Sequence, residues 1–572
     1  MKNNIKNLTL VVATIFLSAC NLDYFPNDEV SVPQMTKTYE GLCTLTDGNY
    51  ATLKADMEYK GSSSTSYTFV RRGLEMLEFS ADEVFISGRT SSTIWQAYTM
   101  EHTDALQNVQ YVWWNLYYCI MGANSVMESI TDETDVQMAY LKGENYFLRA
   151  FCHLMLCNLY AWPYSHNEGK EPGVVLRLSS GAADNLTRAT VGECYDQIEK
   201  DLKEAIRLMS LGGKRRGNNG YASKEAAQGL LTRVYLHMGK NQECVDLVNE
   251  MLGGADASSK LTSTEQFPTY FANTLTYPET LWCIAYTPLE GADLGKSLYA
   301  GMIYKDAATD AGWGEAFTAD PLLDLYERYP EDLRYSVYIL PQVKDPSTYK
   351  VRYPVPGEDY RAARSNASAK ATKVGDEFQF KAGDATVTTF TEIENTYPVR
   401  YAMIDGQKTR VRVTPTMDEV NTFPRYYCTK FSFQDGNAML ASPSFVRWGE
   451  LILNRAEAYA KLEKTDLALA DVNAIRKRAG IREDGMFTMD NMKKRGYPTA
   501  LDVVLDERHL ELAYEGFRTL DLIRNKRDID RQYAGIHTWE VVKYNDPKIL
   551  YPIPFDEVSV SHIEQNQLTY QK

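Results

Sequence analysis

The sequence predicts a mainly α-helical protein, in which a tetratricopeptide-like helical scaffold carries an irregular part rich in loops and hairpins. In each half of the 572-residue chain one plan recurs: a helix, a turn and a second helix. The middle of the chain lacks that periodicity and alternates short β-like runs with Gly, Pro, Ser and Asn. Helix pairs of this kind need neighbours to bury their apolar faces, so we expect a helical stack.

The first 19 residues have the features of a secretory signal peptide. Two lysines precede the apolar stretch 8–17, and two small residues follow it. This stretch is too short for a bilayer, which needs about 20 apolar residues. The run LSAC at 17–20 resembles the bacterial lipobox, in which the signal is cleaved before the cysteine and the cysteine is acylated. We therefore expect a lipid anchor at Cys20; a short buried N-terminal helix is the alternative.

Apolar residues at helical spacing predict the long helices of the N-terminal half. The spacing extends from Asp104 to Ile130 and again from Val136 to Pro163, where the proline cannot continue a helix. A third helix covers 191–209 and is followed by two glycines at 212–213, which predict its end.

The segments 223–252 and 450–480 each predict a pair of antiparallel helices. Gly239 turns the chain in the first segment, and Gly480 closes the second. Small residues that face large ones around a turn glycine resemble a tetratricopeptide helix pair.

The middle of the chain predicts hairpins and loops. Asp405-Gly406 stands between two alternating runs in 401–413, which is a strong hairpin signal, and 378–390 is a weaker one. The Pro- and Ser-containing segment 353–370 reads as loop. Long loops on a rigid scaffold are where binding surfaces tend to be found, so we expect the binding part here.

Composition favours a large folded body. The chain is 44% hydrophobic and 24% charged, and its formal net charge of −15 argues against nucleic acid or an anionic surface as a partner. Of the nine cysteines, eight remain when Cys20 is set aside, and they lack the spacing of a disulfide framework. We expect most of the eight to be small buried hydrophobic residues.

Long motifs in both halves of the chain are specific enough to compare with known families. In chain order they are CNLDYFPND, YCIMGANSVME, ENYFLRAFCHLMLCNLYAWP, RWGELILNRAEAYAKLEKTDLALADVNAIRKRAG, LDERHLELAYEGFRTLDLIR, ILYPIPFDEV and QNQLTY. Together they resemble the SusD/RagB family of nutrient-binding outer-membrane lipoproteins over nearly the whole chain. The middle carries the least of this pattern. The resulting division is a signal peptide (1–19), an N-terminal SusD-like region (20–340), a loop- and hairpin-rich region (341–440) and a C-terminal SusD/RagB-like region (441–572).

The resemblance implies a binding protein that does no chemistry. Members of this family act as a hinged lid on a SusC-like TonB-dependent outer-membrane transporter and bind glycans or, in some members, peptides. We therefore expect a cell-surface, outer-membrane lipoprotein that captures glycan, has a SusC-like transporter as partner, and uses no cofactor and no nucleic acid. Two alternatives stay open: an oligopeptide-capturing RagB-like protein, and a repeat scaffold that binds no small ligand.

The sequence contains no catalytic motif that would favour an enzyme over a binding protein. The chain has 7 histidines, widely separated, and no HExxH, GxSxG or phosphate-binding glycine loop. Its densest charge pattern contains three pairs, each three residues apart on one predicted helix: Arg508 and Glu511, Glu515 and Arg518, Asp521 and Arg524. Glu511 and Glu515 could serve as the paired carboxylates of a glycosidase, but this spacing is more typical of a salt-bridged helix face or a structural network.

Aromatic residues in polar, flexible segments are the better candidates, because a sugar ring has an apolar C–H face that stacks on a flat side chain. Four tryptophans fall in helical patterns and are expected in the core: Trp113, Trp114, Trp162 and Trp448. Trp282 lies in a strand-like but ambiguous segment, and Trp539 has no clear context. Trp95 and Trp313 stand in polar or glycine-flanked segments, where a large apolar group calls for an explanation.

We therefore predict ligand binding around Trp95 and Trp313. Family members place stacking aromatics after an ADE-like segment and again near the chain middle, and here Ala81-Asp82-Glu83 precedes Trp95. The remaining candidates are two tyrosines close to Trp313 in sequence and two hydrogen-bonding residues beside Trp95: Tyr299, Tyr304, Arg89 and Gln96. Two or three aromatic platforms predict affinities of roughly micromolar to millimolar, with gains from multivalency on long polymers.

Overall fold

The computed structural model describes residues 32–60, 68–86, 88, 93–181, 187–289, 299–356, 364–533 and 535–569. The signal peptide, Cys20 and Arg89 lie outside these residues, so the predictions made for them stay predictions. Among the helices that fall within these ranges, none is both long and apolar enough to cross a membrane.

Helix is the most abundant regular structure of the described chain, which confirms the predicted fold class. The helices form one body, called the helical body below. In chain order they are α1 (Val32–Met35), α2 (Tyr39–Lys54), α3 (Phe69–Glu78), α4 (Thr93–Thr99), α5 (Gln107–Ser129), α6 (Val136–Tyr160), α7 (Val191–Met209), α8 (Lys224–Met238), α9 (Asn241–Leu252), α10 (Ala300–Ile303), α11 (Asp320–Glu327), α12 (Leu333–Tyr338), α13 (Trp448–Lys461), α14 (Thr465–Arg478), α15 (Met489–Met492), α16 (Ala500–Leu512), α17 (Arg518–Arg524) and α18 (Phe555–Val560).

The three long helices predicted from periodicity are confirmed as α5, α6 and α7. Helix α6 ends three residues before Pro163, and α7 begins at a capping box in which Thr190 and Glu193 bind each other's backbone N–H groups. Beyond α7, Gly212 and Gly213 have φ angles of 110° and 83°, which other residues rarely adopt. Local sequence signals therefore set both ends of these helices.

Both predicted helix pairs are present, and they stack on each other. Gly239 ends α8 in the left-handed conformation (φ 73°) before α9 begins, and Gly480 (φ 82°) follows α14. Helix α9 packs against α13, although some 200 residues separate them in sequence. The two ends of the chain thus form one continuous stack, in which each pair buries the apolar face of the other.

The cysteines are part of the interior. All eight that the structure describes are free thiols, and seven of them are buried. This confirms that most act as small hydrophobic residues.

Short strand pairs connect distant parts of the helical body, and one larger sheet forms a separate structure. The strands are β1 (Val84–Ile86), β2 (Thr280–Cys283), β3 (Ala316–Thr318), β4 (Ile339–Pro341), β5 (Val343–Pro356), β6 (Arg364–Val374), β7 (Glu377–Ala382), β8 (Ala385–Glu394), β9 (Tyr397–Ile404), β10 (Gln407–Arg410), β11 (Arg412–Met417), β12 (Glu419–Val420), β13 (Phe423–Pro424), β14 (Tyr426–Cys428), β15 (Ser444–Arg447), β16 (Ile529–Asp530) and β17 (Val541–Val542). The two-stranded antiparallel pairs are β1–β3, β4–β14, β2–β15, β12–β13 and β16–β17.

Strands β5 to β11 close into an antiparallel barrel. They are ordered β10-β9-β8-β7-β6-β5-β11, and each neighbour is antiparallel. Only Val411 separates β10 from β11, and its N–H donates to the carbonyl of Arg400 (3.0 Å). One nearly continuous strand therefore pairs with β9 through its first half and with β5 through its second, which joins the two ends of the sheet.

Alternate residues fill the barrel with hydrophobic side chains. Large residues on β5 face small ones on β6, since Tyr349 pairs with Ala371 and Tyr353 with Ala367. Matching large with small residues across the strands fills a narrow interior without voids. The buried members of this interior cluster are Val351, Tyr353, Phe378, Phe380, Ala382, Ala402 and Val411.

The hairpin predictions for the middle of the chain are confirmed, and the loop prediction is wrong. Asp405 (φ 50°) and Gly406 (φ 78°) turn the chain between β9 and β10, and β7 and β8 form the second hairpin. Within 353–370, however, 353–356 and 364–370 are strand. The polar and small residues there lack strand propensity, but neighbouring barrel strands supply their hydrogen bonds and tertiary pairing overrides propensity.

Ion pairs join the barrel to α11 of the helical body. Arg352 Nη2 lies 2.5 Å from Asp320 Oδ1, and Arg412 Nε lies 3.0 Å from the same oxygen. The terminal nitrogens of Arg412 bind Asp324 and Glu327, the latter at 2.7 Å. Arg412 is largely shielded from solvent, so these pairs have more weight than surface ion pairs.

The charged motif near the C-terminal end forms a buried network on two helices. The chain leaves α16 at Leu512, passes through Tyr514 (φ 65°) and Gly516 (φ 80°), and begins α17 at Arg518. The prediction that the whole motif lies on one helix is therefore wrong. Of the three predicted pairs, Asp521 with Arg524 forms at 2.8 Å.

Other members of the motif pair with distant residues. Arg508 binds Asp521 (2.7 Å), and Arg518 binds Asp82 (2.8 Å). Arg447 Nη1 donates to Glu511 at 2.7 Å. The structural-network interpretation of this motif is thus confirmed, with partners that only the fold brings together.

Candidate ligand-binding surface

Trp313 stands on a rigid support and remains 50% exposed. Gly312 (φ 84°) and Gly314 (φ 54°) flank it, and its N–H donates to the carbonyl of Gly301 (2.6 Å). A Cβ at Gly312 would lie 2.4 Å from the carbonyl of Tyr304. Only glycines fit these positions, because both the backbone conformation and the close approach exclude a side chain. The loop is therefore held tightly while half of the tryptophan surface faces solvent.

Phe433 is a second exposed aromatic residue beside the same support. It is 45% exposed and has a left-handed φ of 72°, which costs a non-glycine residue about 1–3 kcal/mol. Its ring centroid lies 5.9 Å from that of Tyr304. Strain of this kind persists only where the surroundings impose it, and it concentrates at functional sites. Trp313 and Phe433 are called the aromatic surface below.

Polar groups border the aromatic surface. Asp306 accepts hydrogen bonds from the Tyr304 hydroxyl (2.9 Å) and from the N–H and hydroxyl of Thr309 (2.8 and 2.6 Å). The hydrogen bonds from Thr309 lower the pKa of Asp306, so this carboxylate is charged at neutral pH. Lys305 pairs with Asp310 at 2.7 Å in the same loop. An aromatic face with a rim of such groups suits a ligand that is apolar on one side and hydroxylated at its edge.

Tyr304 and Tyr299 are buried beneath this surface. Tyr304 is 4% exposed and lies between the Trp313 loop and Phe433, while Tyr299 is 2% exposed and packs edge-on against Phe431 (centroids 5.3 Å apart). Burial raises the pKa of both hydroxyl groups above its ordinary value. Both tyrosines therefore support the surface from below, and direct ligand contact by either stays a prediction.

Trp95 lies on α4 and is only 5% exposed. Its ring centroid is 6.3 Å from that of Tyr98, and its indole N–H has no hydrogen-bond partner among the described residues. Gln96, next to it, is half-buried. The structure thus shows no open Trp95 face, and binding by Trp95, Gln96 and the undescribed Arg89 stays a prediction.

The other tryptophans divide between core and surface. Trp113 and Trp448 are buried, as predicted, and Trp282 is fully buried in β2; Trp114 and Trp162 are only partly buried. Trp114 and Tyr118, whose ring centroids lie 5.5 Å apart, line a groove of 190 Å³ along α5. Helical periodicity does not distinguish Trp114 and Tyr118 from core residues, because a wide apolar stripe continues around α5.

Phe433 is the site residue that sequence reasoning missed. It precedes a Gln-Asp-Gly turn (434–436), and that turn signal next to a large aromatic residue was its only mark in the sequence. Its closeness to Tyr304 depends on two loops more than 100 residues apart.

The charge environment of Glu511 and Glu515 argues against either as the acid of a glycosidase pair. Burial would raise the pKa of Glu511, but the guanidinium groups of Arg478 and Arg447 outweigh it and hold the pKa well below its usual range. Arg447 and Lys430 likewise lower the pKa of Glu515 against the effect of burial. Glycoside hydrolysis needs a carboxylic acid with a raised pKa, so a lowered pKa does not suit either residue to that role.

Comparison with known proteins decides the family. Residues 71–236 match a family model described as starch-binding and associating with the outer membrane, and residues 278–569, just over half of the chain, match the SusD family model. The chain belongs to the SusD family. This SusD-family chain is 22% identical over 529 residues to SusD-like protein P2 of Formosa agariphila, a match that covers 90% of this chain and 89% of the relative.

Solved structures of SusD-like proteins share the fold. A SusD superfamily protein from Bacteroides thetaiotaomicron is similar with a TM-score of 0.69 at 20% identity, covering 93% of this chain and 100% of that one. A laminarin-binding SusD-like protein is similar with a TM-score of 0.58 at 19% identity, covering 93% and 98%. The predicted family resemblance and the helical scaffold of the SusD family are thereby confirmed.

Proposed function

We propose that this SusD-family protein captures polysaccharide or oligosaccharide at the cell surface and delivers it to a SusC-like TonB-dependent transporter. It acts by binding and not by catalysis. The observation that carries the proposal is the half-exposed Trp313, held between two left-handed glycines beside the strained Phe433. The family description as starch-binding and the laminarin-binding neighbour support glycan as the ligand class.

The proposed contact is stacking of a sugar ring on Trp313, with Phe433 as a second platform. Covering one aromatic face contributes about 1.5–3 kcal/mol before ordering costs, so two faces account for weak, micromolar to millimolar capture. Asp306 and the Lys305–Asp310 pair at the rim are placed to hydrogen-bond hydroxyl groups. A rigid support lowers the entropy that binding would otherwise cost.

Location at the membrane completes the proposal. Cys20 is proposed to carry the lipid anchor, and the acylated protein to face outward from the outer membrane, as the family description supports. Cys20→Ala should then release the protein from the membrane fraction. Surface labelling of intact cells that reaches the wild-type protein, and its co-purification with a TonB-dependent transporter, are the expected results.

The decisive measurement is calorimetry of the lipid-free chain from residue 21 against a polysaccharide panel and a peptide digest. We expect one glycan class to bind, and Trp313→Ala to weaken that binding by about tenfold or more, with a smaller loss for Phe433→Ala. Phe555→Ala, which removes an exposed ring elsewhere, is the matched control. A calorimetric binding signal with the peptide digest alone would favour the RagB-like alternative. If neither polysaccharides nor peptides give a binding signal, a scaffold that binds no small ligand would be favoured.

A further inference from the structure

A polar cavity lies between the barrel and the helical body, and neither residue of the aromatic surface lines it. Its volume is 590 Å³, within the usual range for ligand sites. Its walls come from helices α11 and α16, strands β5, β9 and β11, and the segment around β16. Its side chains are mostly charged.

The carboxylates in the walls already have partners. Asp320 binds Arg352 and Arg412; burial alone would raise the pKa of Asp320, but these two guanidinium groups lower it. Asp82 binds Arg518, and Asp506 accepts a hydrogen bond from a tyrosine hydroxyl (2.8 Å). Because these carboxylates already have partners, they do not require a bound cation in the cavity.

Two donors in the walls, by contrast, lack acceptors. Arg352 is 5% exposed, and only its Nη2 is used, by Asp320; Nε and Nη1 have no hydrogen-bond partner in the described chain. The Tyr533 hydroxyl lines the same cavity and is also without a described partner. A buried N–H of a charged group without an acceptor is costly, and a protein keeps such a group where something else satisfies it.

We propose that this cavity binds an oxyanion, a carboxylate, sulfate or phosphate group, with Arg352 as its main contact and the Tyr533 hydroxyl as a second donor. A guanidinium group presents parallel N–H donors that match the two oxygens of such a group. An oxyanion offers acceptors only, which is what the unpaired donors require. The group is carried by an acidic sugar unit of a glycan or is a free inorganic anion. His509, whose pKa burial lowers to about 3, is neutral beside it and adds no charge.

The test is calorimetry on the chain from residue 21, which retains every described residue, at constant ionic strength. The probes are glucuronate, sulfate, phosphate and, as the uncharged match, glucose. We expect an oxyanion to bind and glucose not to bind, and Arg352→Gln to weaken the binding about tenfold or more. Tyr533→Phe, which removes only the hydroxyl, should weaken it severalfold. Binding of glucuronate alone assigns an acidic sugar unit, and binding of all three anions assigns a free anion.

Control variants test whether oxyanion binding is specific to this cavity. Arg425→Gln removes a guanidinium that also has an unpaired Nε but lies outside the cavity, and it should leave binding unchanged. Trp313→Ala should also leave oxyanion binding intact, so failure of the aromatic surface and failure of this cavity are distinguishable. If Arg352→Gln loosens the barrel, Arg352→Lys replaces it as the test, because it keeps the positive charge. It should bind the oxyanion with an affinity between those of the wild type and Arg352→Gln.

Three outcomes would overturn the proposal. They are equal binding of glucose and glucuronate, equal losses in Arg352→Gln and Arg425→Gln, and no heat from any oxyanion at about 10 mM. The last result would mean that the donors bind ordered water only.

Discussion

The helical body and the barrel are stabilised in different ways. The body brings together helices from both ends of the chain and buries arginines such as Arg334 and Arg447 among carboxylates. The barrel pairs strands that mostly follow one another in sequence, and its interior cluster is hydrophobic. Charge compensation therefore matters in the body, whereas packing volume matters in the barrel. Mutations and pH should therefore affect the two regions differently.

The largest effect should come from breaking the charge network of the body. Arg447→Met removes a guanidinium that binds both Glu511 and Glu515 and leaves these buried carboxylates under-compensated, which should lower the free energy of unfolding by about 3–5 kcal/mol. Urea denaturation measures the loss. Arg482→Met, at an exposed arginine, should change stability by no more than about 0.5 kcal/mol. Equal losses of stability in both variants would show that the buried network contributes no more than an exposed arginine does.

The second-largest loss of stability should come from a mutation in the interior of the barrel. Phe380→Ala should cost about 3 kcal/mol of local stability, because it leaves a cavity in a small hydrophobic cluster. Hydrogen exchange should speed up across 343–417 while α5 to α9 keep their protection. Phe390→Ala, on the outer face of β8, is the control. Loss of protection in both regions at once would show that barrel and body unfold as one unit.

Protonation offers a third way to separate the two regions. Burial raises the pKa of Glu78 on α3 to about 8, so the folded protein keeps its proton where the unfolded chain, near 4.5, has lost it. The contribution of Glu78 to stability should therefore fall as pH rises from about 4.5 to 8. Glu78→Gln removes that loss and should be more stable by on the order of 2 kcal/mol at pH 8, with a smaller difference at pH 5.

Denaturation of the wild type and Glu78→Gln at both pH values checks this. Glu483→Gln, at an exposed glutamate, should follow the wild type. A difference between wild type and Glu78→Gln that does not change with pH would contradict the assignment.

The smallest effects come from two left-handed glycines, one in each region. Gly314→Ala would place a Cβ 2.6 Å from the ring of Tyr427, whereas Gly383→Ala in the barrel hairpin meets nothing within 4 Å. We expect about 1 kcal/mol of destabilisation for Gly383→Ala from backbone strain alone, and about 2 kcal/mol for Gly314→Ala. Thermal unfolding measures both. Gly314→Ala should also weaken glycan binding, and an unaltered affinity would argue against the Trp313 loop as the site.

The candidate site could be predicted only in part. The glycines around Trp313 marked it as a tryptophan outside a helix, and the structure places half of it in solvent. The same reasoning chose Tyr299 and Tyr304 by their closeness in sequence, yet both are buried, because chain proximity does not tell which side of a loop faces the core. Phe433 was missed since its contact with Tyr304 joins two loops distant in sequence.

Features that local chemistry controls can be predicted from the sequence alone. Helical spacing, the Thr190–Glu193 capping box, Gly239 and the Asp405-Gly406 turn specify helices and hairpins through contacts within a few residues. The tertiary structure decided the rest: the stacking of α9 on α13, the closure of the barrel through β10 and β11, and the partners of each buried arginine. The physical reason is that burial and long-range pairing depend on which surfaces meet, and that is a property of the whole fold.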